Sequence, residues 1–135
     1  MTKKYKLRKK HFVTLADGTK LYQIRALKDF GDVFKGDLGG YIASEENLSQ
    51  EGDAKVSGHA KVYGQTRVFG HARVYGDAQV YDNAEVYDKA RVYDYTQVFG
   101  DTQVYRDERV SGSVQVADNA KVSGHAEVSD NDQVN

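Results

Sequence analysis

Four histidines are candidates in this 135-residue chain for ligating a metal ion or transferring protons. His59, His71 and His125 are separated by multiples of six residues, at a position that elsewhere often holds Asp or Asn, and the fourth is His11. Because His, Asn and Asp all tolerate left-handed backbone geometry, this position is typical of a turn. The chain has no cysteine and no phosphate-loop or nucleophile-elbow motif. We therefore predict no metal site, no cofactor and no catalytic residue, and an enzyme stays the second hypothesis.

Aromatic and basic residues form a second pattern that could carry function. Valine recurs at every sixth position from Val56 to Val134. In eight successive units the residue after the valine is aromatic: Tyr63, Phe69, Tyr75, Tyr81, Tyr87, Tyr93, Phe99 and Tyr105. At intervals of eighteen residues the residue before the valine is basic: Lys55, Arg73, Arg91 and Arg109. Grouped, exposed aromatic side chains are typical of binding interfaces.

These residues stand in a six-residue unit that predicts the elements positioning them. Two residues before the valine is usually Ala or Thr, and two residues after it is Gly or Asp, with Arg106 as the exception. In a strand the small residue and the valine point the same way and the residue between them points outward, while Gly or Asp turns the chain. A six-residue period does not stay on one face of an α-helix. The sequence therefore predicts an all-β solenoid in which each coil buries the valines of its neighbour.

The six-residue unit resembles the hexapeptide repeat of left-handed β-helices, in which three units make a coil of eighteen residues. The run YQIRALKDFGDVFKGDLGGYIASEENLSQEGDAKV also resembles the entry segment of YdcK-like hexapeptide-repeat proteins of bacteria and phages. The resemblance implies a single-stranded, left-handed parallel β-helix of four to five coils. On that geometry His71 and His125 share an edge about 14 Å apart and His59 lies on another edge, so one chain does not bring them to a single zinc ion.

The first fifty residues follow a different pattern. HFVTL, ADGT and KLYQIRAL predict a strand, a turn and a second strand, with Asp17-Gly18 as a hairpin signal. A glycine-punctuated loop follows, and Leu48 matches the inward row of small residues, six positions before Ala54. We therefore predict an N-terminal hairpin cap at residues 1–47 and one β-helix unit at residues 48–135.

The eighteen-residue coil predicts that the rings stack: Tyr75 on Tyr93, Tyr63 on Tyr81 on Phe99, and Phe69 on Tyr87 on Tyr105. Such stacks either only stabilise the sheets or also form a contact surface. The row of four cations is self-repelling unless an anionic partner faces it or corner acids such as Asp77, Asp94 and Asp107 neutralise it.

Glu108 breaks the six-residue pattern, because it occupies an inward position between Ala90 and Ala126. A lone buried carboxylate is costly. The sequence therefore predicts either that Glu108 pairs with Arg106 or Arg109, or that a bulge lifts it outward.

We predict a non-catalytic protein-binding module. We also predict a cytoplasmic location, since no apolar stretch is long enough for a leader peptide or a membrane span. The expected partner is another protein or further copies of the chain in a homodimer or homotrimer, with nucleic acid as a weaker alternative and no membrane. The resemblance to phage proteins implies an inhibitor of a host enzyme or of a CRISPR-type or other nucleic-acid-handling defence complex. A trimeric acyltransferase-like enzyme with histidines at subunit seams, and a structural or assembly protein, are the alternatives. The predicted binding surface comprises Tyr75, Tyr93, Arg73, Arg91, Arg109, Lys55, Tyr63, Tyr81, Phe99, Phe69, Tyr87 and Tyr105.

Overall net charge gives no further indication of the partner. Residues 1–50 contain ten Lys and Arg against six Asp and Glu, whereas residues 51–135 contain nine against fourteen. We take neither imbalance as sufficient to name a ligand.

Overall fold

The computed structural model describes residues 3–112 and 115–116, and describes residues 121–122, 127–128 and 133–134 by their backbone alone. Its architecture is an all-β parallel solenoid of about four turns, as the repeat predicts. In the described part of the chain the helical structure is limited to a 3-10 turn at Glu45–Asn47, and no helix there has the length and apolarity to cross a membrane. The left-handed winding stays a prediction.

Three longer strands precede the repeats, namely β1 (Tyr5–Thr14), β2 (Lys20–Ala26) and β3 (Leu38–Ile42). Two-residue strands then follow at six-residue intervals in the described chain: β4 (Lys55–Val56), β5 (Lys61–Val62), β6 (Arg67–Val68), β7 (Arg73–Val74), β8 (Gln79–Val80), β9 (Glu85–Val86), β10 (Arg91–Val92), β11 (Gln97–Val98), β12 (Gln103–Val104), β13 (Arg109–Val110), β14 (Gln115–Val116), β15 (Lys121–Val122), β16 (Glu127–Val128) and β17 (Gln133–Val134).

These strands form three sheets, one on each side of the solenoid. The first sheet has the order β1-β2-β3-β5-β8-β11-β14-β17, the second β4-β7-β10-β13-β16, and the third β6-β9-β12-β15. Within the repeats each strand pairs in parallel with the strand eighteen residues away, so that Val74 lies beside Val56 and Val92. Valine therefore stacks on valine along each sheet.

The stacked valines form the core. Val74, Val80 and Val86 are 0% exposed, and the alanines two positions before them are equally buried. Burying one valine side chain contributes about 1.5–3 kcal/mol, so the core depends on many small and equivalent contributions.

The backbone geometry of the coil corners explains why every corner except that of Arg106 is occupied by either Gly or Asp. The corner glycines have positive φ angles, and so do Asp82, Asp88, Asp94 and Arg106, with φ between 58° and 62°. In each of the three aspartates Oδ2 accepts a hydrogen bond of 3.1 Å from the corner N–H eighteen residues later. This bond offsets the cost of left-handed geometry in a residue with a Cβ. Arg106 keeps the same geometry, so the sequence exception does not interrupt the solenoid.

Glu108 stays inside the core and is 0% exposed. Its carbonyl accepts the regular hydrogen bond from the backbone N–H of Arg91 at 2.8 Å, and Arg109 pairs in register with Arg91. The predicted alternative of an outward bulge is therefore wrong.

The N-terminal strands β1 and β2 form the predicted antiparallel hairpin, but β1 already begins at Tyr5. The segment predicted as a loop contains β3, which pairs with both β2 and β5. Two consecutive glycines are typical of a loop, but Gly39 and Gly40 instead allow close packing. An added Cβ would lie 2.6 Å from Ile24 Cγ1 at Gly39 and 2.8 Å from the carbonyl oxygen of Ala60 at Gly40. The loop expectation is wrong because these glycines provide space within a sheet.

Leu48 lies in the row of valines rather than in the row of small residues. It forms a parallel bridge with Val68, and six residues earlier Ile42 pairs with Val62. Both spacings are twenty residues instead of eighteen, so two extra residues separate Leu48 from the first regular unit. The predicted position of Leu48 is wrong for this reason, and parallel pairing reaches back into residues 1–47.

Side chains complete the hydrogen bonding at the start of the solenoid. Inside the solenoid a backbone N–H donates to the carbonyl seventeen residues later, as from Tyr75 to Val92 at 2.9 Å. At the first coil Asn47 replaces two such donors, because its Nδ2 donates to the carbonyls of Gly64 at 3.1 Å and Thr66 at 2.9 Å. Asn47 is fully buried, so these bonds prevent the burial of unpaired carbonyls.

Lys4 plays the same part at another corner of the first coil. Its Nζ donates to the carbonyls of Ala54 at 2.8 Å and Gly52 at 3.4 Å and lies 4.5 Å from the centre of the Phe30 ring. The side chain is 0% exposed, and burial lowers the pKa of Lys4 to about 8; the charge of Asp53 raises this pKa slightly and the charge of Lys28 lowers it further. Burial also raises the pKa of the neighbouring Tyr5 hydroxyl.

Candidate binding surface

The aromatic side chains form the predicted stacks on all three sides of the solenoid. The planes of stacked rings lie within 5° of each other. The distances between ring centres are 4.9 Å for Tyr75–Tyr93, 5.1 Å for Tyr63–Tyr81 and Tyr81–Phe99, 4.9 Å for Phe69–Tyr87 and 5.3 Å for Tyr87–Tyr105. This spacing follows from the separation of parallel coils, since each ring stands above the same position of the next coil.

Each ring is half-buried, and a stacked ring covers at least one of its faces. Burial raises the pKa of Tyr63, Tyr75, Tyr81 and Tyr87, and for Tyr75 the neighbouring Tyr93 hydroxyl adds to the increase. The rings are thus held in one orientation before any partner binds.

The basic row lies on the second sheet. Lys55, Arg73, Arg91 and Arg109 pair in register on β4, β7, β10 and β13. At the N-terminal end of this row Asp32 forms ion pairs with Lys55 Nζ at 3.0 Å and with Arg73 at 3.8 Å. The hydrogen bond from Lys55 is the main cause that holds the pKa of Asp32 below its usual value.

Asp32 is not one of the corner acids that were expected to neutralise the row, yet it pairs with the N-terminal end of the row. Asp32 lies between β2 and β3, in a segment that carries no repeat, whereas the carboxylate of Asp94 accepts the backbone N–H of Gly112. No pattern in the sequence indicates Asp32, because only the packing of the N-terminal segment brings it to the row.

Arg91 is the cation of the row that precedes the second ring of the Tyr75–Tyr93 stack by two residues. Tyr75 and Tyr93 follow Arg73 and Arg91 by two residues on the same side of the solenoid, and the charge of Arg91 acts to lower the pKa of Tyr75. Among the described residues Arg91 has no ion pair within 4.0 Å. This position therefore combines a fixed aromatic stack with an available guanidinium group.

The other two sides of the solenoid are more nearly neutral. On the first sheet Gln115 Nε2 donates to Gln97 Oε1 at 3.3 Å, and on the third sheet Gln103 Nε2 donates to Glu85 Oε1 at 3.3 Å. These amides use their hydrogen-bonding groups within the sheet, so their rows offer weaker recognition of a charged partner.

The described histidines do not converge. His71 Nδ1 is hydrogen-bonded to Asp53 on the same edge, His59 lies on a different edge, and His11 belongs to β1. The predicted candidate His125 lies outside the described residues. Within those residues no group of three or more His, Cys, Asp or Glu side chains is placed to hold a metal ion.

Three exposed aromatic side chains of the described residues were missed from the sequence, and the first is Phe12 on β1, which is 43% exposed. Tyr95 is 68% exposed at a corner that carries Asp, Asn or His in many other units, and this substitution was a detectable signal. Phe34 is 67% exposed in the segment between β2 and β3, where no repeat indicates which residues point outward.

The family model of the YdcK beta solenoid repeat matches residues 66–82 and 78–94, two overlapping stretches that contain the central rings and Arg91. No curated protein matches the chain. The match confirms that residues 66–94 carry the predicted YdcK-type repeat.

Proposed function

We propose that this chain, a β-solenoid built on YdcK-type repeats, is a non-catalytic protein-binding module. Its contact surface in this proposal is the Arg–Tyr face, which consists of Arg73, Tyr75, Arg91 and Tyr93 on the second sheet. The observation that carries the proposal is the position of Arg91, which has no ion pair in the described chain, pairs in register with Arg73 and precedes Tyr93 of the Tyr75–Tyr93 stack by two residues.

The composition of this face supports protein recognition. Arg and Tyr are enriched among the residues that contribute most to protein–protein affinity, because each provides a large contact area together with a polar group. The Tyr75–Tyr93 stack is already ordered, so binding loses little side-chain entropy.

The charge of the face indicates an acidic partner surface. Asp32 neutralises the end of the row near Lys55, which leaves the positive charge of Arg91 further along the sheet. A carboxylate that pairs with Arg91 in a bidentate manner would replace its solvent contacts with directional hydrogen bonds.

A narrower form of the proposal is that the partner is a host enzyme or a defence complex that the chain inhibits. Its support is the likeness of the entry segment and repeats to phage proteins. Self-association through the same face into a homodimer or homotrimer is the competing use of this surface.

Affinity capture with matched variants tests the proposal. The immobilised full chain is compared with the Arg91→Ala and Tyr93→Ala variants, and Tyr81→Ala on the first sheet is the control. We expect a captured protein, identified by mass spectrometry and re-measured with purified components, to bind the two face variants at least tenfold more weakly and Tyr81→Ala almost unchanged.

Sedimentation of the free chain distinguishes self-association through the Arg–Tyr face from binding of another protein. If Arg91→Ala dissociates an oligomer without any foreign protein being captured, the face serves self-association. Equal binding by all variants would refute the assignment of this face.

A further inference from the structure

Charge is strongly segregated between the first hairpin and the rest of the molecule. Residues 3–28, which we call the basic hairpin, contain nine Lys and Arg, and Asp17 is their one acidic residue. The whole chain has 19 basic and 20 acidic residues, so ten basic and nineteen acidic residues remain outside the hairpin. The near-neutral total charge therefore conceals a hairpin of high positive charge on an acidic body.

Most of these cations have no carboxylate partner in the described structure, although Arg8 Nη1 donates to Gln23 Oε1. Lys3 pairs with Glu45, and Lys4 is buried against the first coil. In the described structure none of the other seven has an ion pair within 4.0 Å. These seven are Lys6, Arg8, Lys9, Lys10, Lys20, Arg25 and Lys28.

Protection of a sheet edge does not account for this charge. β1 is the outer strand of its sheet, and lysines on such a strand discourage pairing with other molecules. Lys20 and Arg25, however, lie on β2, which is paired on one side with β1 and on the other with β3. The cations thus extend across the hairpin beyond its free edge.

Aromatic rings lie among the lysines of the hairpin. Lys9 Nζ is 4.3 Å from the centre of the Tyr22 ring, and Lys20 Nζ is 4.8 Å from the centre of the Phe12 ring. The two rings contact each other edge to face with their centres 6.0 Å apart, and Phe12 is 43% exposed. This arrangement places flat apolar surface beside positive charge.

We propose that the basic hairpin is a nucleic-acid-binding site that contacts the phosphate backbone without reading sequence. Lys and Arg side chains neutralise phosphates and release counterions, and exposed rings provide stacking surface for unpaired bases. Lysine is depleted at protein–protein interfaces, whereas five of the seven unpaired cations are lysines, so the composition favours nucleic acid over a protein surface.

This site is separate from the Arg–Tyr face. The residues of the hairpin belong to β1, β2 and the segments beside them, whereas the Arg–Tyr face belongs to β7 and β10. Failure of protein capture through Arg91 therefore leaves the hairpin proposal intact, and the reverse also holds.

Fluorescence anisotropy with a labelled mixed-sequence 20-nucleotide DNA strand tests the proposal over a series of salt concentrations. The affinity should fall linearly with salt on logarithmic axes, with a slope of at most about −5 if all seven cations contact phosphates. In the triple variant Lys6→Gln, Lys9→Gln, Lys10→Gln the slope should decrease in magnitude by about 2, and the affinity at low salt should fall at least tenfold.

The control removes three cations from the solenoid instead, as Lys61→Gln, Arg67→Gln and Lys89→Gln. Because both triple variants have the same net charge, a hairpin site predicts that only the first loses affinity. Equal losses in the two variants, or no measurable binding by the unaltered chain at 20 mM salt, would overturn the proposal.

Competition with polyglutamate of matched length tests whether the hairpin instead binds acidic protein segments. If the polyglutamate displaces the DNA strand at equal charge concentration, the hairpin is a site for acidic protein segments and the nucleic-acid assignment is wrong. Ultraviolet crosslinking of the unaltered chain to DNA, followed by peptide mapping, gives a measurement that does not depend on the folding of any variant. Crosslinks within residues 6–25 support the site, and crosslinks confined to the repeats refute it.

Discussion

Inside the solenoid the carbonyls of one coil accept hydrogen bonds from the backbone of the coil before it, whereas at the N-terminal end side chains donate some of these bonds. Val92 accepts from the backbone N–H of Tyr75, and this pattern recurs with only the residue types changing. Gly64 and Thr66 accept instead from the single side chain of Asn47.

The difference shows that stabilising contacts are repeated in the coils but occur once each in the N-terminal segment. Each coil contributes similar burial and similar hydrogen bonds, so the loss of one contact leaves many equivalents. The N-terminal segment contains single-copy contacts that no neighbouring residue can replace. Substitutions there should affect the free energy of unfolding more than chemically similar substitutions in the repeats.

Asn47→Ala should have the largest effect. It removes the two donated bonds and also the bonds that Asn47 Oδ1 accepts from the backbone N–H groups of Ala43 and Ser44. Because buried polar groups are left unpaired, we expect the free energy of unfolding to fall by about 3–5 kcal/mol in urea denaturation. Asn83→Ala, which removes one exposed bond to Asp101, is the control and should cost less than about 0.5 kcal/mol. Similar costs for both variants would contradict the distinction between the regions.

Lys4→Met should alter the pH dependence of stability. Since burial lowers the pKa of Lys4 from 10.5 to about 8, the unfolded chain binds more protons than the folded chain between these values. Stability contributed by this group therefore rises with pH in that interval, and it is lowest below pH 8, where the buried amine is charged.

Between pH 8 and pH 9.5 the unaltered chain should gain about 1.5 kcal/mol relative to Lys4→Met, measured by urea denaturation at each pH. The exposed Lys6→Met is the control and should follow the unaltered chain. The range stops below pH 10 because the raised pKa of Tyr5 acts in the opposite direction once the unfolded tyrosine ionises. Parallel pH curves for Lys4→Met and the unaltered chain would show that Lys4 is solvated.

Arg106→Gly should have the smallest effect and should stabilise the protein. Arg106 has a φ of 59°, which glycine adopts without a steric cost, and glycine occupies many equivalent corners. Because the greater freedom of glycine in the unfolded chain offsets part of this gain, we expect an increase of about 0.5 kcal/mol in thermal or urea unfolding. Asp88→Gly is the matched comparison, and it should not stabilise, since it also removes the hydrogen bond that Asp88 Oδ2 accepts from the N–H of Arg106. A gain from Asp88→Gly as large as that from Arg106→Gly would refute the role of the corner carboxylates.

Contacts of the candidate site within the repeats could be predicted from the sequence, whereas contacts with the N-terminal segment could not. The stacking of Tyr75 on Tyr93 could be predicted because both residues occupy the same position of units eighteen residues apart. The ion pairs of Asp32 with Lys55 and Arg73 could not, because Asp32 belongs to a segment without a repeat. Whether the Arg–Tyr face or the basic hairpin binds a partner stays a proposal for both surfaces.

The charge of the basic hairpin could be predicted in part from the sequence. Its excess of lysine and arginine is visible in the sequence, but averaging over residues 1–50 diluted it with acids that follow the hairpin. The structure separates these groups, because it shows which cations form ion pairs with Glu45 or Asp32 and which do not.

The sequence alone determined the repeat unit, the inward valines, the outward rings and the left-handed corners, since each depends on local geometry repeated every six residues. Only the tertiary structure decided that β3 joins the solenoid sheet, that Leu48 enters the row of valines and that Lys4 and Asn47 complete the first coil. These contacts join residues far apart in the chain and occur once each. A periodic pattern reports on positions that recur, and it contains no information about a contact that is made a single time.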